Sequence, residues 1–64
     1  MKYKYDAKTD ALYITLRTGA YDKSKKITES MLVDVTKDGK ILAIEILDAS
    51  KNIEQFDPKR LFTA

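Results

Sequence analysis

Two acidic residues, Asp34 and Glu45, have the types and spacing that best fit a chemical role in this sequence. The Asp38-Gly39 dipeptide between two β-rich runs predicts a hairpin that places both carboxylates on one face, as diagonal neighbours about 7–8 Å apart at Cα. Such a pair can share a Mg²⁺ or Ca²⁺ ion or hold the displaced pKa values of a catalytic dyad. A third ligand is missing, so we expect solvated strand carboxylates and keep the metal or hydrolytic role as an alternative.

The composition removes the residues on which most catalytic and metal sites depend. The chain contains no Cys and no His, so it lacks a thiolate nucleophile, zinc held by sulfur and an imidazole base. Asp6 and Asp10 bracket a loop without the D-x-D-x-D-G calcium series, so we expect turn-forming roles for them. Asp48 is expected to cap a helix. The sequence predicts a protein that is not an enzyme and needs no cofactor or metal.

Length and charge predict one small domain over residues 1–64. A domain of about 60 residues buries only about 60% of the surface that its unfolded chain exposes, and this one has no disulfide to help it. Self-association is therefore the expected source of extra stability. The first residues lack the apolar core of a signal peptide, and no apolar run approaches the roughly 20 residues that span a bilayer. We expect a cytoplasmic protein without a membrane partner.

Apolar residues alternate with polar ones along most of the chain, which predicts strands. Two strands flank a polar loop over residues 6–10, with Tyr5 opposite Leu12 and Tyr3 opposite Ile14. A short strand over 24–29 is centred on Ile27, and Glu29-Ser30 is expected to form a bulge or a turn.

The Asp38-Gly39 hairpin predicts a two-residue turn in which Lys37 pairs with Lys40. The resulting register stacks three apolar pairs on one face: Val35 with Leu42, Val33 with Ile44, and Met31 with Ile46. A longer turn remains possible, because a register slip by two residues keeps every side chain on the same face.

After Leu47 the pattern predicts a short helix, capped by Asp48 or Ser50, with Ile53 and Phe56 on its apolar side. Pro58 ends it or begins another turn. The predicted fold class is α+β: a small antiparallel sheet of four or five strands with a short C-terminal helix over its apolar face.

The opposite face of the predicted sheet carries more apolar residues than expected for a surface open to water. It is expected to carry Leu32, Ile41 and Leu47, with Tyr13 on the neighbouring strand. Because a sheet face open to water is usually polar, these residues are the candidate interface with another chain, and cover by Leu61 and Phe62 is the alternative. A homo-oligomer, with a dimer favoured, is the expected assembly.

Nucleic-acid binding is the second hypothesis, from another class of function. It would use Lys2, Lys4, Tyr13 and the Lys23–Lys26 segment as a basic surface with a stacking aromatic. A net charge of +2 disfavours it, and lysines along a strand edge more often prevent unwanted pairing.

Several segments together resemble the domain of unknown function 2283 family. The likeness covers residues 3 to about 51 and rests on two signatures, Y-D-x-x-x-D-A-L-Y-I and G-I-E-I-L-D-A-S, with Ala43 in place of the usual Gly. It implies a small sheet protein of bacteria, archaea or phages, some of whose members lie beside toxins and are regarded as candidate antitoxins. It implies no catalytic residue. The motif-matching polar positions are Asp6, Asp10, Tyr13, Asp34, Glu45 and Asp48.

Together, these patterns predict a non-enzymatic protein-interaction module that self-associates through one sheet face. The resemblance adds an antitoxin-like role, with a toxin as the protein partner.

Overall fold

Five strands form a single antiparallel sheet in the computed structural model, which describes residues 1–61. The strand order is β1-β2-β5-β4-β3, and two one-turn helices follow the sheet. The small α+β fold and the antiparallel sheet are confirmed. The bounds are β1 Lys2–Asp6, β2 Ala11–Thr15, β3 Lys23–Thr28, β4 Met31–Val35, β5 Ile41–Ile46, α1 Ala49–Asn52 and α2 Pro58–Leu61.

Side-chain alternation gives the sheet two faces. We call the face of Tyr3, Leu12, Ile14, Val33 and Ile44 the first face, since these residues lie opposite one another along neighbouring strands. The second face carries the residues between them, including Tyr13, Leu32, Asp34 and Glu45. The predicted pairs Tyr5 with Leu12 and Tyr3 with Ile14 are confirmed.

The β4–β5 hairpin departs from the predicted turn. Gly39 has a φ of 89°, and its N–H donates to the Thr36 carbonyl at 3.0 Å, while the Thr36 N–H donates to the Lys40 carbonyl at 2.9 Å. Thr36 and Lys40 therefore close a three-residue loop, which is the common alternative to the two-residue turn.

The longer loop shifts the register by one residue, and an irregularity near Leu42 restores it. Val35 faces Ile41, so the predicted pairing of Val35 with Leu42 was wrong, whereas Val33 with Ile44 and Met31 with Ile46 were correct. The extra residue stays buried, because Leu42 is only 7% exposed. Its carbonyl accepts the N–H groups of Leu16 at 2.8 Å and Arg17 at 3.2 Å. A bulge here ties β5 to the chain that leaves β2.

The chain after β2 crosses one end of the first face. A Cβ added to Gly19 would lie 2.8 Å from Leu42 Cδ2, so glycine permits this close approach. At the opposite end, the ring of Phe56 meets that of Tyr5 edge-on, with centroids 5.0 Å apart. The buried apolar residues of the small core are Ala11, Leu12, Val33, Val35, Leu42 and Ala49.

The C-terminal region forms two single turns in place of the one predicted helix. α1 ends before Ile53, and α2 begins at Pro58, where the fixed φ of proline suits a first helical position. Asp48 occupies the N-cap position of α1 with φ 49°, but its side chain makes no capping hydrogen bond. Its carbonyl oxygen instead accepts the N–H groups of Lys51 and Asn52.

Candidate functional site

A row of five side chains crosses the centre of the second face, one from each strand. Tyr13 and Leu32 lie directly opposite Glu45 on either side, and Lys4 and Lys26 end the row on the two edge strands. Tyr13, Leu32 and Glu45 are all half-buried. The Glu45 carboxyl group thus lies between the side chains of Tyr13 and Leu32, and the lysines of this row are on the edge strands.

Glu45 and Asp34 form the predicted carboxyl pair. Burial raises the pKa of Glu45, and so do its hydrogen bond with Asp34 and the charge of that residue. The Ser24 hydroxyl donates to Asp34 Oδ1 at 2.6 Å, and the Tyr21 hydroxyl lies 2.9 Å from Ser24 Oγ. This polar chain crosses β3, β4 and β5. Two adjacent carboxyls that disfavour simultaneous ionisation can retain a proton, which is the chemistry that this arrangement supports.

The carboxyl pair lacks the further ligands of a metal centre. Among residues 1–61, no group of three or more acidic side chains is placed to hold an ion. The metal alternative therefore gains no support from the geometry of the described residues.

The structure separates the predicted interface residues into two sets. Leu32 and Tyr13 flank Glu45, and Leu47, 36% exposed, continues β5 beyond it. Ile41 lies at the other end of β5, about 20 Å away along an extended strand. It is 42% exposed and lies opposite Val35 in the β4–β5 pairing. Tyr13 and Leu32 therefore share the second face on either side of Glu45, and Ile41 lies at a distance from them along β5.

The basic residues considered for nucleic acid are divided between the two faces. Lys4 lies opposite Tyr13 on the second face, whereas Lys23 and Lys25 lie opposite Val35 and Val33 of the first face. Lys26 forms an ion pair with Glu29, with Nζ and Oε2 3.1 Å apart.

Asp10 is the centre of a cluster that the sequence did not predict. Its carboxylate accepts the Tyr5 hydroxyl at 2.6 Å and the Ser50 hydroxyl at 2.7 Å, and the Ser50 N–H lies 3.2 Å from Oδ1. The Ala49 N–H donates to the Asp10 carbonyl at 2.8 Å, and Ala49 is completely buried. We call Tyr5, Asp10, Ala49 and Ser50 the clasp, because they join the β1–β2 loop to the end of β5.

The clasp shifts both of its titratable groups. The hydrogen bonds from Tyr5 and Ser50 lower the pKa of Asp10, while the bond to Asp10 raises the pKa of the Tyr5 hydroxyl. The clasp therefore favours an ionised Asp10 and a neutral Tyr5. Asp6 has the turn role that was expected, since its Oδ1 accepts the Lys8 N–H at 3.0 Å.

An open groove of about 570 Å³ lies between the loop after β2 and the β4–β5 turn. Its charged lining includes Arg17, Lys37 and Lys40 as well as Asp22 and Asp38. The mixed signs select neither an anion nor a cation.

The fold defines a small α+β protein with one five-stranded antiparallel sheet. The family model described as "Protein of unknown function (DUF2283)" matches residues 2–50, and the chain belongs to this family. No curated protein and no solved structure matches the chain. None of the helices within residues 1–61 has the length and apolar character needed to cross a membrane.

Proposed function

We propose that this protein is a non-enzymatic protein-interaction module that acts as a homo-oligomer, with a dimer as the simplest assembly. The observation that carries the proposal is the apolar surface: among the described residues, the large side chains of Leu16, Ile27, Ile41 and Leu47 are 36–55% exposed. A second chain that covered such surface would remove it from water.

The core gives independent support. No large side chain among the described residues is fully buried, and two of the six buried apolar residues are alanines. Few large apolar groups thus offset the entropy of folding in a single chain. Stacking a second chain on the sheet would remove further apolar area from water and stabilise both chains.

The edges of the sheet favour association through a face. β1 presents Lys2 and Lys4 at one edge, and β3 presents Lys23, Lys25 and Lys26 at the other. Lysines along an edge strand discourage pairing with a further strand, because like charges would be brought together.

The second face fits a protein as its further partner. Tyr13 and Leu32 supply apolar area around the Glu45 carboxyl, and the paired Asp34 adds negative charge at the centre. Carboxylates there oppose the phosphates of a nucleic acid, which disfavours that alternative. The antitoxin-like role belongs to this part of the proposal and rests on the family resemblance.

Sedimentation velocity and native mass spectrometry over about 1–100 µM test the assembly, since a dimer with a micromolar Kd shifts its population across this range. We expect a dimer whose melting temperature rises with concentration. A folded monomer over the whole range, with a constant melting temperature, would contradict the proposal. Capture of the products of neighbouring genes on the immobilised protein tests the second partner, with Leu32→Lys as the control expected to lose it.

A further inference from the structure

We propose that the outer edge of β3 is a docking site for an extended, acidic segment of another protein, which would join the sheet as a sixth strand. β3 is the last strand in the order β1-β2-β5-β4-β3, so β4 pairs with only one of its two edges. This site goes beyond the proposed homo-oligomer and does not depend on it.

The backbone of β3 is open to such a partner. An edge strand presents a row of unpaired N–H and C=O groups on the side away from the sheet. Among residues 1–61, no segment other than β4 forms a backbone hydrogen bond with residues 23–28, and all six residues of β3 are exposed. The regular pairing with β4 covers Lys23–Lys26, before an irregularity that precedes Thr28. An extended peptide can therefore reach four consecutive residues of the edge without displacing any described part of the chain.

The charge of β3 selects the chemistry of the partner. The strand contains three lysines and no acidic residue. Lys26 pairs with Glu29, but Lys23 and Lys25 form no ion pair with any residue in the described part of the chain. These two lysines lie opposite buried valines of β4, which offer them no opposite charge. The regular part of the edge thus keeps two uncompensated positive charges on one face.

The spacing of these charges defines the sequence pattern that fits. Lys23 and Lys25 are alternate residues of one strand and are therefore about 6.6–6.8 Å apart on the same face. Alternate residues of an added strand have the same spacing, and opposite charges that face each other across two strands stabilise the pair. Between the lysines, the Ser24 hydroxyl already donates to Asp34 on the other face. The matching partner is an extended segment with Asp or Glu at every second position.

A second copy of this chain does not fit that pattern. Each of the five strands contains at most one acidic residue. Two β3 edges would also bring like charges together, which discourages their pairing. The other edge strand, β1, is a poorer site for an acidic segment, because it ends in Asp6 and three of its five residues are half-buried.

An anisotropy titration with a labelled, capped peptide of alternating threonine and glutamate tests the site. Lys25→Glu in β3 is matched by Lys4→Glu in β1, since both variants make the same change of charge at an exposed position of an edge strand. We expect Lys25→Glu to raise the peptide Kd at least about fivefold and Lys4→Glu to change it less than about twofold. Lys23→Glu is a second β3 variant in case circular dichroism shows that Lys25→Glu does not fold.

Two further probes separate strand pairing from attraction between charges. The same peptide with N-methyl groups on its two central residues keeps its charge but loses one backbone donor on each edge. We expect it to bind at least about fivefold more weakly than the unmodified peptide. Single-stranded oligothymidylate, which carries negative charge without peptide groups, is the second probe and should bind more weakly than the peptide.

Weaker binding with both Lys25→Glu and N-methylation, together with normal binding by Lys4→Glu, supports the inference. Four results would overturn it: no binding of the peptide by wild type at about 1 mM, equal weakening by Lys4→Glu and Lys25→Glu, equal affinity for the N-methylated peptide, or tighter binding of oligothymidylate that Lys25→Glu weakens. The last result would assign the lysines to a nucleic acid. Sedimentation velocity of the wild type measures the oligomer separately, so failure of this inference leaves the proposed dimer standing.

Discussion

The contact between Gly19 and Leu42 gives a prediction with a calculable sign and size. In Gly19→Ala, the new Cβ would lie 2.8 Å from Leu42 Cδ2 and 3.4 Å from Thr36 Cγ2. Leu42 is buried, so its side chain or the loop must move, and overpacking of this kind costs about 1–3 kcal/mol. Alanine also lowers the backbone entropy of the unfolded chain, which stabilises the folded protein by about 0.4–1 kcal/mol. We expect a net destabilisation of about 1–2 kcal/mol.

Leu42→Val makes the prediction specific to this contact, because valine lacks Cδ2. Alone, it is expected to cost about 0.5–1.5 kcal/mol, as for a comparable loss of one methylene. In its background, Gly19→Ala should become neutral or slightly stabilising. The double-mutant cycle should therefore give a coupling free energy of about 1–2 kcal/mol.

Urea unfolding followed by circular dichroism, at one fixed protein concentration, measures these free energies. Thr36→Ser is the matched control: it removes Cγ2, which is the more distant contact, and keeps the hydroxyl that accepts the Lys40 N–H. Its coupling to Gly19→Ala should stay below about 0.5 kcal/mol. Additive effects of Gly19→Ala and Leu42→Val would show that the loop does not pack on Leu42 and would refute the reasoning.

Three further predictions concern pH and the turn. The fold lowers the pKa of Asp10, so the ionised carboxylate stabilises the folded protein fully at pH values above 3.8, the ordinary pKa. This stabilisation is lost as the pH falls through the lower pKa of the folded state. In melting curves, Tyr5→Phe should weaken this acid dependence. The fold raises the pKa of Glu45, so the stability of the protein should fall as the pH rises from 4.5 through the pKa of the folded state. Glu45→Gln should therefore have a higher melting temperature than wild type at pH 7 and the same melting temperature at low pH. A lower melting temperature of this variant at pH 7 would contradict the prediction. Gly39→Ala meets no atom within 4 Å but must adopt a φ of 89°, so urea unfolding should give a loss of about 1–2 kcal/mol, with Gly39→Asn losing less.

The strand pairs were predictable wherever alternation alone decided them. In β1 and β2, a shift by one residue would exchange the faces of Tyr5 and Leu12, so the apolar pattern permits one parity. The same constraint gave Val33 with Ile44 correctly, in the middle of the hairpin. These pairs also placed the Asp34–Glu45 carboxyl pair on the second face, because both residues lie between first-face positions.

The turn could not be predicted in the same way. Asp-Gly suits both a two-residue loop and a three-residue loop with glycine at positive φ, and the two differ by one residue in register. The structure takes the longer loop and absorbs the difference at Leu42. This local choice placed Ile41, one of the predicted interface residues, opposite Val35.

The clasp was beyond prediction for a different reason. Asp10 and Ser50 are 40 residues apart, and no periodicity links a loop to a one-turn helix at that separation. The C-terminal helix was also shorter than predicted, since a single turn gains little from propensity and depends on tertiary contacts such as that between Asp10 and Ala49.

The clasp contains residues from both of the sequence signatures on which the family resemblance rests. The first signature contains Tyr5 and Asp10 and the second contains Ala49 and Ser50, and the fold joins all four in one hydrogen-bonded cluster. A motif that closes a small sheet identifies a fold, because its polar groups bond to one another and leave little for a substrate. We therefore expect any binding partner to contact the surfaces that the clasp holds in place. Of these, the second face has the acidic centre of Asp34 and Glu45, and Leu32→Lys beside it tests partner binding.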